Sequence, residues 1–238
     1  GSSLWPGRAP GQRRGPGAGH DGSPPLVLRR GGMGNRGAAA RVCHGNERPG
    51  GEPDKLAFPM GLAFHEGCLY VADAGNHRVV RLSAGAAGGG SGAEVVLGGE
   101  GRGRKLSQLV QPRSVAFHAG GLYVADSGNC RVLWVPPGAS RAELCLGGRG
   151  SSLRQLSDPC GLAVHEAEGL LYISDFGNHR ILGLRLGGAG GPAAEAELCF
   201  GGRGRGDGLD QLAGPAAVVA LGGGALLVAD FWNHRVLL

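Results

Sequence analysis

The chain lacks the features that most often identify an enzyme or a membrane protein. Aromatic residues make up only 5% of its 238 residues, and no apolar run approaches the length of a membrane span. None of its six cysteines forms a C-x-x-C pair, which argues against zinc ribbons, RING domains and thioredoxin-like motifs. The hydrolase signatures G-x-S-x-G and H-E-x-x-H are missing as well. We therefore expect no membrane association and no common catalytic or metal centre.

Glycine and proline are abundant instead, with 50 and 14 residues. This content indicates either disorder or a fold with many tight turns. Residues 1–41 hold seven arginines and one acidic residue, a net charge of +6, whereas the remaining residues sum to −1. Residues 1–39 are Gly/Arg/Pro-rich and cannot bury enough apolar surface to fold. We predict a disordered tail over 1–39 and a folded domain over 40–238, with a reduced, intracellular setting favoured by the unpaired cysteines.

Four segments of the folded domain are nearly identical. LYVADAGNHRVVRL begins at Leu69, LYVADSGNCRVLWV at Leu122, LYISDFGNHRILGL at Leu171 and LLVADFWNHRVLL at Leu226. Their aspartates lie 53, 49 and 55 residues apart, a period that indicates stacked or radial repeats. Each complete unit has four short strand patterns, opened by a proline and closed by a Gly pair, and no amphipathic helix. The sequence predicts an all-β protein, a β-propeller with four visible four-stranded blades.

Asp, Asn and Arg recur around the turn between the second and third strands of every unit. If the Gly and Asn of this turn form the loop, Asp73 lies opposite Arg78, and the same pairing recurs in each unit. We predict four cross-strand ion pairs within about 4 Å. A group present four times serves the folding of each blade, whereas an active site uses its residues once. The predicted structural turn residues are Asp73, Asn76, Arg78, Asp126, Asn129, Arg131, Asp175, Asn178, Arg180, Asp230, Asn233 and Arg235.

The repeat pattern P-x-G-L-A-(V/F)…LYVAD-x-GNHR-(V/I) resembles the NHL repeat. Its GNHR core is intact at 75–78 and 177–180, and the stretch 201–215 resembles the linker that precedes each NHL unit. Unit four departs at Ala217, where the family prefers Gly, and at Trp232, where the other units have Gly. Its turn therefore either avoids positive φ at Trp232 or is strained. The resemblance covers residues 40–238 and implies a β-propeller that serves as a binding platform.

Propellers of this family usually have six blades, whereas four full units are present. Residues 40–44 (ARVCH) match the fourth strand that the last unit lacks, and pairing the two would close the ring and cover its sheet edges. Closure would give a four-bladed ring, or a five-bladed one if residues 25–36 are a decayed unit. The rival interpretation is an open arc of a longer propeller.

Histidines and glycine runs suggest chemistry that other features of the sequence disfavour. A ring of imidazoles could hold a metal, but Cys130 and Leu221 replace histidine in single units and no carboxylates accompany the others. The glycine runs at 98–103 and 201–206 resemble phosphate cradles, yet a strand follows each instead of a helix. We predict no catalytic residue, no metal, no cofactor and no small-molecule substrate. The repeated histidines are His77, His179 and His234 in the turns and His65, His118 and His165 at the ends of first strands.

Arginines in the loops between blades are predicted to gather on one rim, where they would attract acidic peptides or phosphate backbones. A rigid propeller presents loops from several blades on one face, so we expect a non-catalytic scaffold with a protein or peptide ligand. RNA binding through this rim and the Arg-rich tail is an alternative, with Phe176, Phe231 and Trp232 as the residues available for base stacking. A hydrolase or lyase on a propeller frame is a second alternative. The predicted rim residues are Arg102, Arg104, Arg149, Arg203 and Arg205.

Overall fold

The computed structural model describes residues 44, 49–52, 55–83, 93–187 and 191–238, with the backbone alone at 192–195. In this part of the chain the helices are 3₁₀ turns of three residues, and none could cross a membrane. The predicted disordered tail, the candidate decayed unit at 25–36 and, apart from His44, the strand predicted to close the ring lie outside the described residues.

Antiparallel strands form four consecutive sheets. Blade 1 comprises β1 (Pro59–His65), β2 (Cys68–Asp73), β3 (Arg78–Ser83) and β4 (Ala93–Gly98). Blade 2 comprises β5 (Pro112–His118), β6 (Gly121–Asp126), β7 (Arg131–Val135) and β8 (Glu143–Gly147). Blade 3 comprises β9 (Pro159–His165), β10 (Leu170–Asp175), β11 (Arg180–Leu186) and β12 (Pro192–Gly201). Blade 4 comprises β13 (Pro215–Ala220), β14 (Leu226–Asp230) and β15 (Arg235–Leu237).

The order of the strands in each sheet follows the chain, so every blade is an antiparallel meander. The first strand of each blade lies innermost, and β1 contacts β5, β5 contacts β9, and β9 contacts β13. The predicted all-β, four-bladed propeller is confirmed. Its fourth blade has three strands among the described residues, and within them no contact of comparable extent joins β13 to β1.

The hydrophobic core lies between the blades. Val79 and Leu97 of blade 1 pack against Val115 and Val124 of blade 2, and equivalent clusters join blade 2 to blade 3 and blade 3 to blade 4. Side chains alternate along each strand, so one face of a blade contacts the preceding blade and the other contacts the following one. Each blade therefore depends on its neighbours to bury its apolar faces.

Small residues on the inner strands allow successive blades to approach closely. A Cβ atom added to Gly61 would lie 2.7 Å from the backbone oxygen of Arg113 in the next blade. Gly161 has the same role against blade 4, where its added Cβ would lie 3.0 Å from the Cα of Ala217. Ala217 itself is exposed, since no described strand packs against that face of blade 4. This exposed position explains why the fourth unit accommodates Ala where blades 1 and 3 have Gly.

Candidate binding rim

The cross-strand register around the repeated turn is the predicted one. Asp73 pairs with Arg78, and the same pairing occurs in the other three blades. The Nε atom of each arginine lies 2.7 or 2.8 Å from the Oδ2 atom of its aspartate. The four predicted ion pairs are therefore confirmed. All four aspartates are fully buried, which the sequence pattern did not indicate.

The turn itself differs from the predicted two-residue loop. It is a 3₁₀ turn, and its left-handed residue is the one after Asn: His77, Cys130, His179 or His234, with φ between 51° and 55°. The turn glycine serves close packing rather than positive φ. A Cβ at Gly128 would overlap the side chain of Val110 in the preceding linker.

Each Asp–Asn–Arg group connects its turn by hydrogen bonds to the linker that precedes the blade. In blade 2 the Oδ1 atom of Asp126 accepts from the backbone N–H of Val110 at 2.7 Å, and its Oδ2 atom accepts from Asn129 and Arg131. Asn129 also donates to the backbone oxygen of Gly103. The guanidinium of Arg131 donates to backbone oxygens of the same linker, those of Arg104, Lys105 and Gln108. The predicted turn residues thus form a structural network that repeats in every blade.

The electrostatic balance of this network varies with position in the propeller. Burial raises the pKa of Asp126 and of Asp175, against the opposing effect of their hydrogen bonds. In blade 4, desolvation of Asp230 is outweighed by hydrogen bonds from Ala213, Asn233 and Arg235, so its pKa lies below the ordinary value. The hydrogen bonds and ion pairs in the middle blades therefore offset only part of the desolvation of the aspartates.

Blades 1 to 3 have a glycine in the turn and a larger residue in the linker, whereas blade 4 has the larger residue in the turn and the glycine in the linker. Trp232 occupies the turn position held by Gly in blades 1 to 3, and its φ is not positive. The linker residue immediately before β13 is Gly214, whereas Phe58, Gln111 and Asp158 precede the first strands of the other blades. A Cβ at Gly214 would lie 2.9 Å from both Phe176 and Trp232. The glycine in the linker makes room for the indole, so the turn adopts the common conformation.

This exchange creates an aromatic patch between blades 3 and 4, which we define as Phe176, His179, Arg205, Phe231 and Trp232. The ring centroids of Phe176 and Trp232 lie 4.7 Å apart in an edge-on arrangement. The guanidinium carbon of Arg205 lies 4.9 Å from the centroid of the Trp232 ring, a cation–π distance. Phe231 is 55% exposed and Trp232 is 40% exposed. The patch is thus an apolar surface with one cation above it.

Burial, followed by the charge of Arg205, lowers the pKa of His179. The Nδ1 atom of this imidazole accepts a hydrogen bond from the backbone N–H of Gly214 at 3.1 Å. At neutral pH the positive charge of the patch therefore comes from Arg205 and not from His179.

The other predicted rim arginines are also exposed in the linkers between blades, but their surroundings differ from that of Arg205. Arg104 and Arg149 line a shallow depression of about 240 Å³ over the turn of blade 2. Arg203 pairs with Asp210 at 3.1 Å on the surface, which offsets its charge. Arg102, Arg149 and Arg205 each precede the glycine that accepts from the turn asparagine, and Arg205 lies over the ring of a turn residue, Trp232. Sequence analysis identified these arginines and aromatics separately and did not predict that Arg205 meets Trp232.

The repeated histidines serve packing where the structure shows their contacts. The Nδ1 atom of His77 accepts from the backbone N–H of Gln111, and the ring of His65 stacks on Phe117 at 4.2 Å. His118 contacts Glu166 at 2.7 Å. Within the ranges that the structure describes, no three His, Cys, Asp or Glu side chains are placed to hold a metal ion.

Cys160 of β9, Asp158 just before it and Arg113 of β5 form a polar group that occurs once among the described blades. The Nη1 atom of Arg113 lies 2.9 Å from the Sγ atom of Cys160 and 3.0 Å from Asp158. Burial nevertheless raises the pKa of the Cys160 thiol to about 11. A thiol with this pKa is protonated at neutral pH and is a poor nucleophile.

A family model for the NHL repeat matches residues 156–184. This segment begins in the linker of blade 3 and includes β9, β10 and most of β11, with the turn residues Asp175, Asn178 and Arg180. The chain contains an NHL repeat. The three other blades repeat the ion pair and hydrogen bonds of this NHL unit, so the expected NHL-repeat propeller is confirmed. No curated protein matches the chain.

Solved structures show similarity of fold alone. A chain of a nidogen/laminin complex is 17% identical, with a TM-score of 0.55 over 77% of this chain and 60% of that one. A putative 6-phosphogluconolactonase from Bacteroides uniformis ATCC 8492 is 12% identical, with a TM-score of 0.53 over 75% of this chain and 49% of that one. A streptogramin B lyase is 13% identical, with a TM-score of 0.50 over 78% and 55%. The NHL-repeat chain therefore spans less than two thirds of the length of each of these propellers.

Proposed function

We propose that this propeller is a non-catalytic scaffold that binds a protein or peptide through the aromatic patch between blades 3 and 4. The observation that carries the proposal is Arg205 placed over the exposed ring of Trp232. Tryptophan and arginine dominate the binding energy of protein interfaces, because they combine a large apolar area with polar groups that fix orientation. The nidogen/laminin complex adds support by analogy, since a propeller of this fold occurs there in a protein complex.

The rigidity of the rim favours binding without rearrangement. The turn and linker that carry Trp232 and Arg205 are fixed by Asp230, whose carboxylate accepts hydrogen bonds from Ala213, Asn233 and Arg235. A surface that is already ordered loses little conformational entropy when a ligand binds. The ligand chemistry follows from the charge of the patch: an acidic side chain to meet Arg205 and an apolar one to cover Phe231.

A catalytic role has less support from the described residues. The polar group that occurs once contains Cys160, whose raised pKa keeps the thiol protonated at neutral pH. In each repeated aspartate, Oδ1 accepts from the preceding linker and Oδ2 accepts from the Asn and Arg of the turn. Similarity to a putative lactonase and a lyase concerns the fold, which hosts many unrelated functions.

Selection of random displayed peptides against the chain tests the proposal. We expect enriched peptides to combine Asp or Glu with an aromatic or aliphatic residue. Arg205→Ala and Trp232→Ala should each weaken the binding of a synthesised peptide by about tenfold or more, as hot-spot residues do. Fluorescence anisotropy with a labelled peptide measures the change, and circular dichroism checks that the variants fold.

Arg102→Ala is the matched control, because Arg102 occupies the equivalent linker position beside a glycine turn. It should leave the peptide affinity within about twofold of the original. Equal losses in Arg102→Ala and Arg205→Ala, or failure to enrich any peptide, would overturn the proposal. Tight binding of single-stranded RNA that falls steeply with added salt would favour the nucleic-acid alternative instead.

A further inference from the structure

The inner strand of blade 1 exposes a position that is buried in every other blade. Leu62 is 64% exposed, whereas the equivalent residues Val115, Leu162 and Val218 are between 4% and 9% exposed. Phe64, two residues further along the same face, is 69% exposed. In blade 2 this face packs against blade 1, where Val115 joins the cluster that contains Val79. Leu62 therefore belongs to a surface that is built to receive a preceding blade.

Blade 4 exposes the complementary surface at the other end of the propeller. Val236 is 67% exposed, whereas its equivalents Val79, Val132 and Ile181 are fully buried. These three residues lie on the face that contacts the following blade. Val219 on the inner strand of blade 4 is 51% exposed on the same side. This face therefore has the composition of one half of an interface between blades, and the described residues do not supply its partner half.

One molecule thus carries both halves of an interface that it already forms three times internally. We infer that two copies of this chain associate head to tail, with the Val236 face of one copy against the Leu62 face of the other. The occupant is a second copy because its exposed face is the equivalent of the one that packs at each internal boundary. The contact is heterologous, so it either closes into a ring or continues through further copies.

The exposed part of the blade 1 face defines where the contact forms. Val71 and Val80 lie on the same face further out and are buried, whereas Leu62 and Phe64 on the inner strand are exposed. Inner strands also make the contacts between successive blades within the chain, from β1 to β5 and onward. The contact between copies is therefore centred on β1 and β13, with Val236 of β15 beside them.

Sedimentation velocity of the full chain over a range of concentrations tests the inference. The original chain should sediment as concentration-dependent oligomers, and Leu62→Glu and Val236→Glu should each remain monomeric. Each variant still has one unaltered face, and these two faces are complementary. An equimolar mixture of the two variants should therefore form a dimer that neither variant forms alone.

Leu144→Glu is the control, because Leu144 is 53% exposed on an outer strand of blade 2, away from both terminal faces. It should associate like the original chain. A monomeric original chain at high concentration would contradict the inference. So would a Val236→Glu variant that still dimerises while Leu62→Glu does not, since that result indicates contact between two blade 1 faces.

Discussion

Replacing Asp126 with alanine is expected to lower the free energy of unfolding by about 3–5 kcal/mol. The change leaves the buried guanidinium of Arg131 without its counter-ion, and it removes the acceptor for the backbone N–H of Val110 and for Asn129. An uncompensated buried charge costs more than the original pair contributes, because the desolvation of Arg131 remains. Equilibrium unfolding in guanidinium chloride measures the change.

Asp210→Ala is the control for this substitution. Asp210 also pairs with an arginine, Arg203, but both side chains are largely exposed. Surface pairs of this kind contribute about 1 kcal/mol or less. If Asp126→Ala were no more destabilising than Asp210→Ala, the repeated aspartate would not have the structural role assigned to it.

The second large effect is expected at Gly214. Gly214→Asp should destabilise the chain by about 2–4 kcal/mol, since the new Cβ meets Phe176 and Trp232 and the backbone there is left-handed, with φ of 63°. Adding Trp232→Gly recreates the residue combination of blade 3, where Asp158 occupies the position of Gly214 and Gly177 that of Trp232. The double variant should therefore be at least about 1 kcal/mol more stable than the sum of the single changes predicts.

Gly204→Asp is the control that separates two contributions to the destabilisation by Gly214→Asp: the left-handed backbone and the steric contact with Phe176 and Trp232. Gly204 has φ of 88° in the same linker, but a Cβ there would meet nothing within 4 Å. Its destabilisation should be independent of Trp232→Gly. Additive effects of Gly214→Asp and Trp232→Gly in thermal or chemical unfolding would mean that the two positions do not compensate for each other.

The sequence was sufficient to predict the blades and their internal register. Strand alternation has a period of two, and the Asp–Arg spacing across a short turn leaves one register that puts all apolar residues on common faces. Asp73 opposite Arg78 follows from that spacing alone, and the structure confirms it.

The conformation of the turn required information that the local sequence does not contain. Gly75 suggested positive φ, whereas its lack of a side chain serves contact with Ala57, which lies 18 residues earlier in a linker. The spacing between linker and turn varies among the units, so this contact is not apparent from one repeat. For the same reason, one repeat alone does not predict that Gly214 leaves space for the side chain of Trp232.

The candidate site depends on neighbouring blades rather than on single repeats. Phe176 and Trp232 belong to different units, and Arg205 lies in the linker between them. Their convergence follows from the radial packing of blades 3 and 4, which no motif encodes. The exposure of Leu62 and Val236 likewise distinguishes the terminal blades from the other blades, although all four share the repeat pattern.

Amide hydrogen exchange tests most directly the claim that the repeated aspartates fasten each linker to its blade. The backbone N–H groups of Ala57, Val110, Ser157 and Ala213 donate to these buried carboxylates at 2.6–2.7 Å. We expect Val110 to exchange at least about 100-fold more slowly than the exposed Arg104 of the same linker, once intrinsic rates are corrected for. Exchange of Val110 at the rate of Arg104 would contradict the claim.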